Sequence, residues 1–128
     1  MQECNHLSVT LDIDGNQGLE LVEIRDITYF EYDSIINRII VHTLDKHYYT
    51  MGTLKYFVES LNSSGFNFKL VDRNNAANID NVVYMDNSTK MAYFEWPVTK
   101  HSKGCTFSRK HFAEVEGQLS GKGQISFA

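Results

Sequence analysis

The segment Lys100 to His111 holds Lys100, Lys103, Arg109 and Lys110 beside His101 and His111, with no carboxylate among them. Such a cluster attracts phosphate, although a run of like charge also serves as a plain solvated face. Earlier in the chain, Phe68 to Asn78 reads FKLVDRNNAAN. An apolar strand there leads into a polar elbow that carries Arg73 and closes on an Asn. Asp72, next to Arg73, would repel phosphate and stands against a simple anion-binding loop.

Other chemistries find fewer of the groups they need. His6, His42, His47, His101 and His111 form neither an HxxxH nor an HxH pair, and no Gly-rich phosphate loop follows a strand. Asp12, Asp14, Asn16 and Glu23 fall at positions one, three, five and twelve of a calcium loop. Gln17 stands where that loop needs Gly, and strand-like flanks make a hairpin turn the better account. Cys105 near His101 and His111 imitates a nucleophile and base, yet nothing supplies the rest of such a site. Cys4 and Cys105 lack CxxC spacing, which disfavours a zinc site or disulfide staple and fits a reducing compartment. We therefore expect no enzyme, metal, cofactor or small-molecule substrate.

The bulk properties suit one globular domain. The chain has 128 residues, 42% of them hydrophobic, with a single Pro and 22% charged side chains, so it can bury a core and does not resemble a disordered segment. No apolar run approaches the ~18 residues of a membrane span, and Met1 to Thr10 lacks the pattern of a signal peptide. A cytoplasmic location is expected. The net charge of −4 is unusual for a nucleic-acid binder, but it is unevenly spread. Up to Ser60 the balance is −6, and from Leu61 onward it is +2.

The elements that must position these residues are mostly strands. Leu7 to Ile13 alternates, with Leu7, Val9, Leu11 and Ile13 on one face, and Asp14-Gly15-Asn16 then offers a hairpin turn. Leu19 to Ile24 predicts a second strand or a short turn of helix, and Ile27 to Tyr32 is rich in aromatic and β-branched residues. Ile39 to Thr43 and His47 to Thr50 form a further hairpin around Leu44-Asp45-Lys46. A helix over Thr53 to Leu61, capped by Thr53 and stopped by Gly65, follows from the spacing of Leu54, Phe57, Val58 and Leu61. Phe66 to Val71, Val82 to Met85 and Lys90 to Trp96 read as extended. A last amphipathic helix starts at Ser108 and carries Phe112, Val115 and Leu119, while the tail GKGQISFA is frayed or a small extra strand. Tyr29, Phe30, Tyr48, Tyr49, Phe57, Phe66 and Phe68 belong to the core on strand periodicity. Many short strands with one or two helices mean a mainly β domain, in which loops rather than a helix-turn-helix would meet a duplex.

From about Ile24 to Leu119 the chain resembles the LytTR family of bacterial DNA-binding domains. The first half of the likeness is DITYFEYDSIINRIIVHTLDKHYYTMGTLKYFVESL. The second half is the elbow, in which Phe68, Arg73 and Asn78 match, followed by the Ser108-Arg109 turn. Leu70, Asp72 and Asn74 depart from the elbow pattern, standing where Arg, His and Ser are common. The resemblance implies an elongated arrangement of small antiparallel β-sheets with one or two short helices. Residues 24–119 would be the DNA-binding domain, 1–23 an N-terminal hairpin or strand extension, and 120–128 a tail.

It also implies a sequence-specific transcriptional regulator that inserts loops into successive major grooves of a direct-repeat promoter site. Base contacts would come from Asn37, Arg73 and Arg109, since an Arg fork matches guanine O6 and N7 and an Asn amide matches an adenine edge. Arg38, Lys69, Asn74, Lys103, Ser108 and Lys110 would hold phosphates and set the register. Asn78 suits a structural role, closing the elbow as an Asx turn. With no receiver domain in this chain, activity would be set by a membrane or other regulatory partner, by dimerisation on DNA, or by expression level. The alternative is a β-rich protein-interaction module whose acidic first half and altered elbow have drawn it away from DNA. Gathering of the cations at one side of the fold, away from the acids, would favour the DNA reading.

Overall fold

The structure, a computed structural model, describes residues 4–121 and 125–128. Strands β1 (His6–Thr10) and β2 (Leu19–Glu23) open the chain as an antiparallel pair. A 3-10 turn at Ile24–Asp26 leads to β3 (Tyr29–Asp33), β4 (Arg38–His42) and β5 (His47–Thr50). Helix α1 (Leu54–Ser63) follows, then β6 (Phe68–Asp72) and β7 (Asn75–Asn78). After a second 3-10 turn at Ile79–Asn81 come β8 (Tyr84–Asp86), β9 (Met91–Tyr93), β10 (Gly104–Thr106), α2 (Arg109–Leu119) and β11 (Ser126–Phe127). The first seven strands make one sheet in the order β2-β1-β5-β4-β3-β7-β6; the last four make another in the order β10-β9-β8-β11. All pairs are antiparallel except β8 with β11. The fold is mainly β with two helices, as expected.

Side-chain alternation along β3 explains the layers. Phe30 points to one face of the large sheet and packs with Val9, Val22, Ile39 and Val41 against Phe57 and Leu61 of α1. Tyr29 points to the other face, where Val71 and Ala77 meet Met85, Ala92 and Cys105 of the small sheet and Phe112 and Val115 of α2. Each large apolar side chain so buried contributes about 1.5–3 kcal/mol. Both helix starts are set as their sequences require. Thr53 Oγ1 accepts from the Tyr56 amide at 3.0 Å, Ser108 Oγ accepts from the His111 amide at 3.3 Å, and Gly65 ends α1 at a φ of +98°.

Three local expectations change. The first strand ends at Thr10, and Leu11 and Ile13 lie exposed in the loop that follows. The Asp12 carboxylate accepts from the amides of Asn16 and Gln17, both at 2.9 Å, which closes residues 11–18 into a loop in place of a tight hairpin turn. Second, Asn75–Asn78 is a strand paired with both β3 and β6, so only Arg73 and Asn74 remain as the turn of the elbow. Third, Asn78 makes no local Asx turn. It is 3% exposed and donates from Nδ2 to the carbonyl of Ile27 at 2.9 Å, an acceptor far away in the chain. Its role is structural, by a long-range tie. Most of the expected core aromatics are buried, with Tyr49 and Phe66 only half-buried.

The strand register defines two ends of the large sheet. One end collects loop 11–18, the β3–β4 turn (Asp33 pairs with Arg38), the close of β5 and the β6–β7 turn. The other collects Glu23, Tyr29, His42, His47, Phe68 and Asn78.

Candidate nucleic-acid interface

The β3–β4 turn is built to hold its shape. Asp33 Oδ1 accepts from the Ile35 amide at 2.9 Å, which nucleates the turn, and Asn37 closes it at a φ of +52°, a conformation Asn tolerates better than most residues. The Tyr32 hydroxyl donates to Asn37 Oδ1 at 3.0 Å. That fixes the amide plane and turns its NH2 group outward. Arg38 braces the same turn: its guanidinium donates to the carbonyl of Asn37 at 2.9 Å and to that of Ile13, in the loop after β1, at 3.0 Å.

The β6–β7 turn has a bulge between Leu70 and Asp72. Arg73 and Asn74 stand exposed at its tip. Asp72 Oδ1 accepts from the Arg73 amide at 2.8 Å, which shapes the turn and leaves the carboxylate's negative charge beside Arg73. Asp33 and Asp12 accept from amides in the same way, and the Asp12 carboxyl is held below the usual carboxylate range by the backbone amide of Gln17 above all. Asp12, Asp33 and Asp72 thus each help to form their own loop, while Asp14 lies exposed in the first of them.

The start of α2 reaches this end through backbone and side-chain ties. The Ser108 amide donates to the Val71 carbonyl at 2.8 Å, and Asn75 Nδ2 donates to the Thr106 carbonyl at 3.1 Å. Arg109 and Lys110 are consequently exposed beside the turn that carries Arg73. The Ser108 hydroxyl caps the helix and lies 2.8 Å from His111 Nδ1, which occupies it within the protein.

The remaining expected phosphate contacts lie elsewhere. Lys69 is in mid-strand and pairs with Glu114 of α2 at 3.2 Å, a bond that holds the Glu114 carboxyl below its ordinary range. Lys103 is at the opposite end of the sheet, where its ammonium donates to the carbonyl of Lys46 and lies 3.4 Å from His42 Nδ1. The basic cluster of the sequence is therefore split by β10, whose two ends lie at the two ends of the sheet. Sequence reasoning also passed over Lys90. It sits where β9 begins, its carbonyl takes the Phe107 amide, and its ammonium lies 5.1 Å from the centre of the Phe112 ring. Asp86-Asn87-Ser88 signals the turn before Lys90, but its nearness to α2 depends on the β9–β10 pairing and was not legible.

At the far end, His42 is stacked on Tyr29 at 4.2 Å and donates from Nε2 to Glu31 at 2.9 Å. Burial pushes the imidazole below its ordinary value, and burial likewise lowers the Lys103 ammonium. A groove beside them is lined by Glu23, Asp26, Asp45 and Asp80 together with Arg25 and Lys46. No helix among the described residues is long and apolar enough to cross a membrane.

Such a site, made of two rigid turns and a helix start projecting from one end of a β-sheet, defines a β-scaffolded binding domain without a helix-turn-helix. The LytTR profile, described as a LytTr DNA-binding domain, matches residues 17–120. The chain belongs to the LytTR DNA-binding domain family. Among solved structures it is similar to the LytTr DNA-binding domain of a methyl-accepting/DNA response regulator from Bacillus cereus. The TM-score is 0.65 at 13% identity, over 91% of this chain and 97% of the other. No curated protein sequence matches the chain.

Proposed function

We propose that the protein is a sequence-specific transcriptional regulator that presents the β3–β4 turn, the β6–β7 turn and the start of α2 to successive major grooves of promoter DNA. One observation carries this reading: segments far apart in sequence, around Asn37, Arg73 and Arg109, come to a single end of the sheet through its register and the Ser108–Val71 bond. Arg73 and Arg109 read guanine edges and the outward NH2 of Asn37 meets an acceptor on a base, each contact discriminating by ~1–3 kcal/mol. Lys110 and Asn74 hold phosphate, and Arg38 fixes the turn that carries Asn37. Lys69 and Lys103 act within the protein, through Glu114 and through the Lys46 carbonyl. Two copies would occupy a direct-repeat site, and a partner protein would supply the input signal.

Selection of bound duplexes from a random-sequence pool by the purified protein tests the proposal. Enrichment of a repeated motif is the expected result. Failure to enrich any motif at low salt would replace it with a β-rich protein-interaction module.

A further inference from the structure

Ile35 is 93% exposed, the highest exposure among the large hydrophobic side chains described, and it stands at the tip of the β3–β4 turn, two residues from Asn37. A single exposed apolar side chain needs no explanation by itself. What marks this one is the turn that carries it. The Ile35 amide is held by Asp33, the turn closes on Asn37 in the left-handed region, and Arg38 ties the carbonyls of Asn37 and Ile13. A rigid turn thus carries a branched apolar group outward beside a side chain whose amide NH2 is free to donate.

In the major groove the apolar feature that distinguishes one base from the others is the thymine 5-methyl group, and an apolar side chain long enough to reach it recognises it by contact. We infer that Ile35 is a specificity-determining residue that packs on a thymine methyl next to the base met by Asn37. The inference rests on the DNA-binding reading above and extends it from polar readout to apolar readout. Arg and Asn contacts are indifferent to that methyl, so the contribution of Ile35 can be separated from theirs.

The test replaces thymidine by deoxyuridine, one position at a time, in the duplex most enriched from the random pool. This removes the methyl and leaves every hydrogen-bonding group in place. The wild-type protein should lose about four-fold in affinity at one position per half-site, the worth of one buried methyl. Ile35→Ala should bind the thymidine duplex about as weakly as wild type binds the uridine duplex, and should not distinguish the two. Ile35→Val should keep the preference. Equal wild-type binding to both duplexes at every position, or a preference that survives in Ile35→Ala, overturns the assignment while leaving DNA binding intact. A pool that enriches no motif removes the DNA-binding reading and this inference with it.

Discussion

The two ends of the large sheet spend their charged residues differently. At the far end, Lys103 is spent on the Lys46 carbonyl and the His42 ring, and His42 on Glu31. At the near end the carboxylates of Asp12, Asp33 and Asp72 are spent on the loops' own amides, while Arg73, Arg109 and Lys110 stand exposed. Net charge therefore says less than which charges are already engaged. Those carboxylates keep their charge, and Asp14 lies exposed in the same loop as Asp12, so the near end is mixed in charge and what it offers is exposed cations at fixed places.

Substitutions at the near end should move affinity, and those at the far end stability. The largest effect is expected for Arg109→Ala and Arg73→Ala. Each should weaken binding to the selected duplex roughly 5- to 150-fold in a fluorescence titration, with a smaller loss on random DNA. Lys103→Ala should leave both affinities nearly unchanged; a loss as large as that of Arg109→Ala would erase the distinction between the ends. Next comes Asn78→Ala, which removes one of the two donors to the Ile27 carbonyl, Asn81 Nδ2 remaining at 3.1 Å, and should lower stability in urea by about 0.5–1.5 kcal/mol without altering which duplex is preferred.

Lys110→Ala should have a smaller effect, reducing binding to specific and random DNA alike and lowering the slope of log affinity against log salt by about one. The smallest concerns pH. His42 is held below its ordinary value of 6.5 by burial, so the unfolded chain takes up a proton first as pH falls. The stability present above 6.5 should decline as pH drops from there through the folded-state value. In His42→Gln, which can still donate to Glu31, thermal melts over the same range should show a flatter profile. An unchanged slope would remove His42 as the cause.

Capped helices and aromatic hairpins were legible because their signals are local: Thr53 and Ser108 cap, Gly65 stops, and β3 to β5 are rich in β-branched and aromatic side chains. The strand Asn75–Asn78 was not. Two Ala between Asn residues have little strand propensity, and the segment is extended because β3 and β6 pair on either side and both alanines are buried. Leu11 and Ile13 continued the alternation of β1, but the Asp12 carboxylate outcompeted the ladder for the next amides. Of the candidate site, Asn37, Arg73 and Arg109 could be named from residue types in a familiar order. Their convergence on one end could not, because it depends on sheet register. The separation of Lys103 from Arg109 was hidden for the opposite reason, since neighbours in sequence are carried apart by an intervening strand.

The Arg38 guanidinium spans from the β3–β4 turn to the carbonyl of Ile13. Through it, the loop after the first strand and the turn bearing Asn37 and Ile35 share one brace. On the proposed reading, a change at loop 11–18 would reach the DNA-facing turn through this brace, altering the choice of bases before the strength of binding.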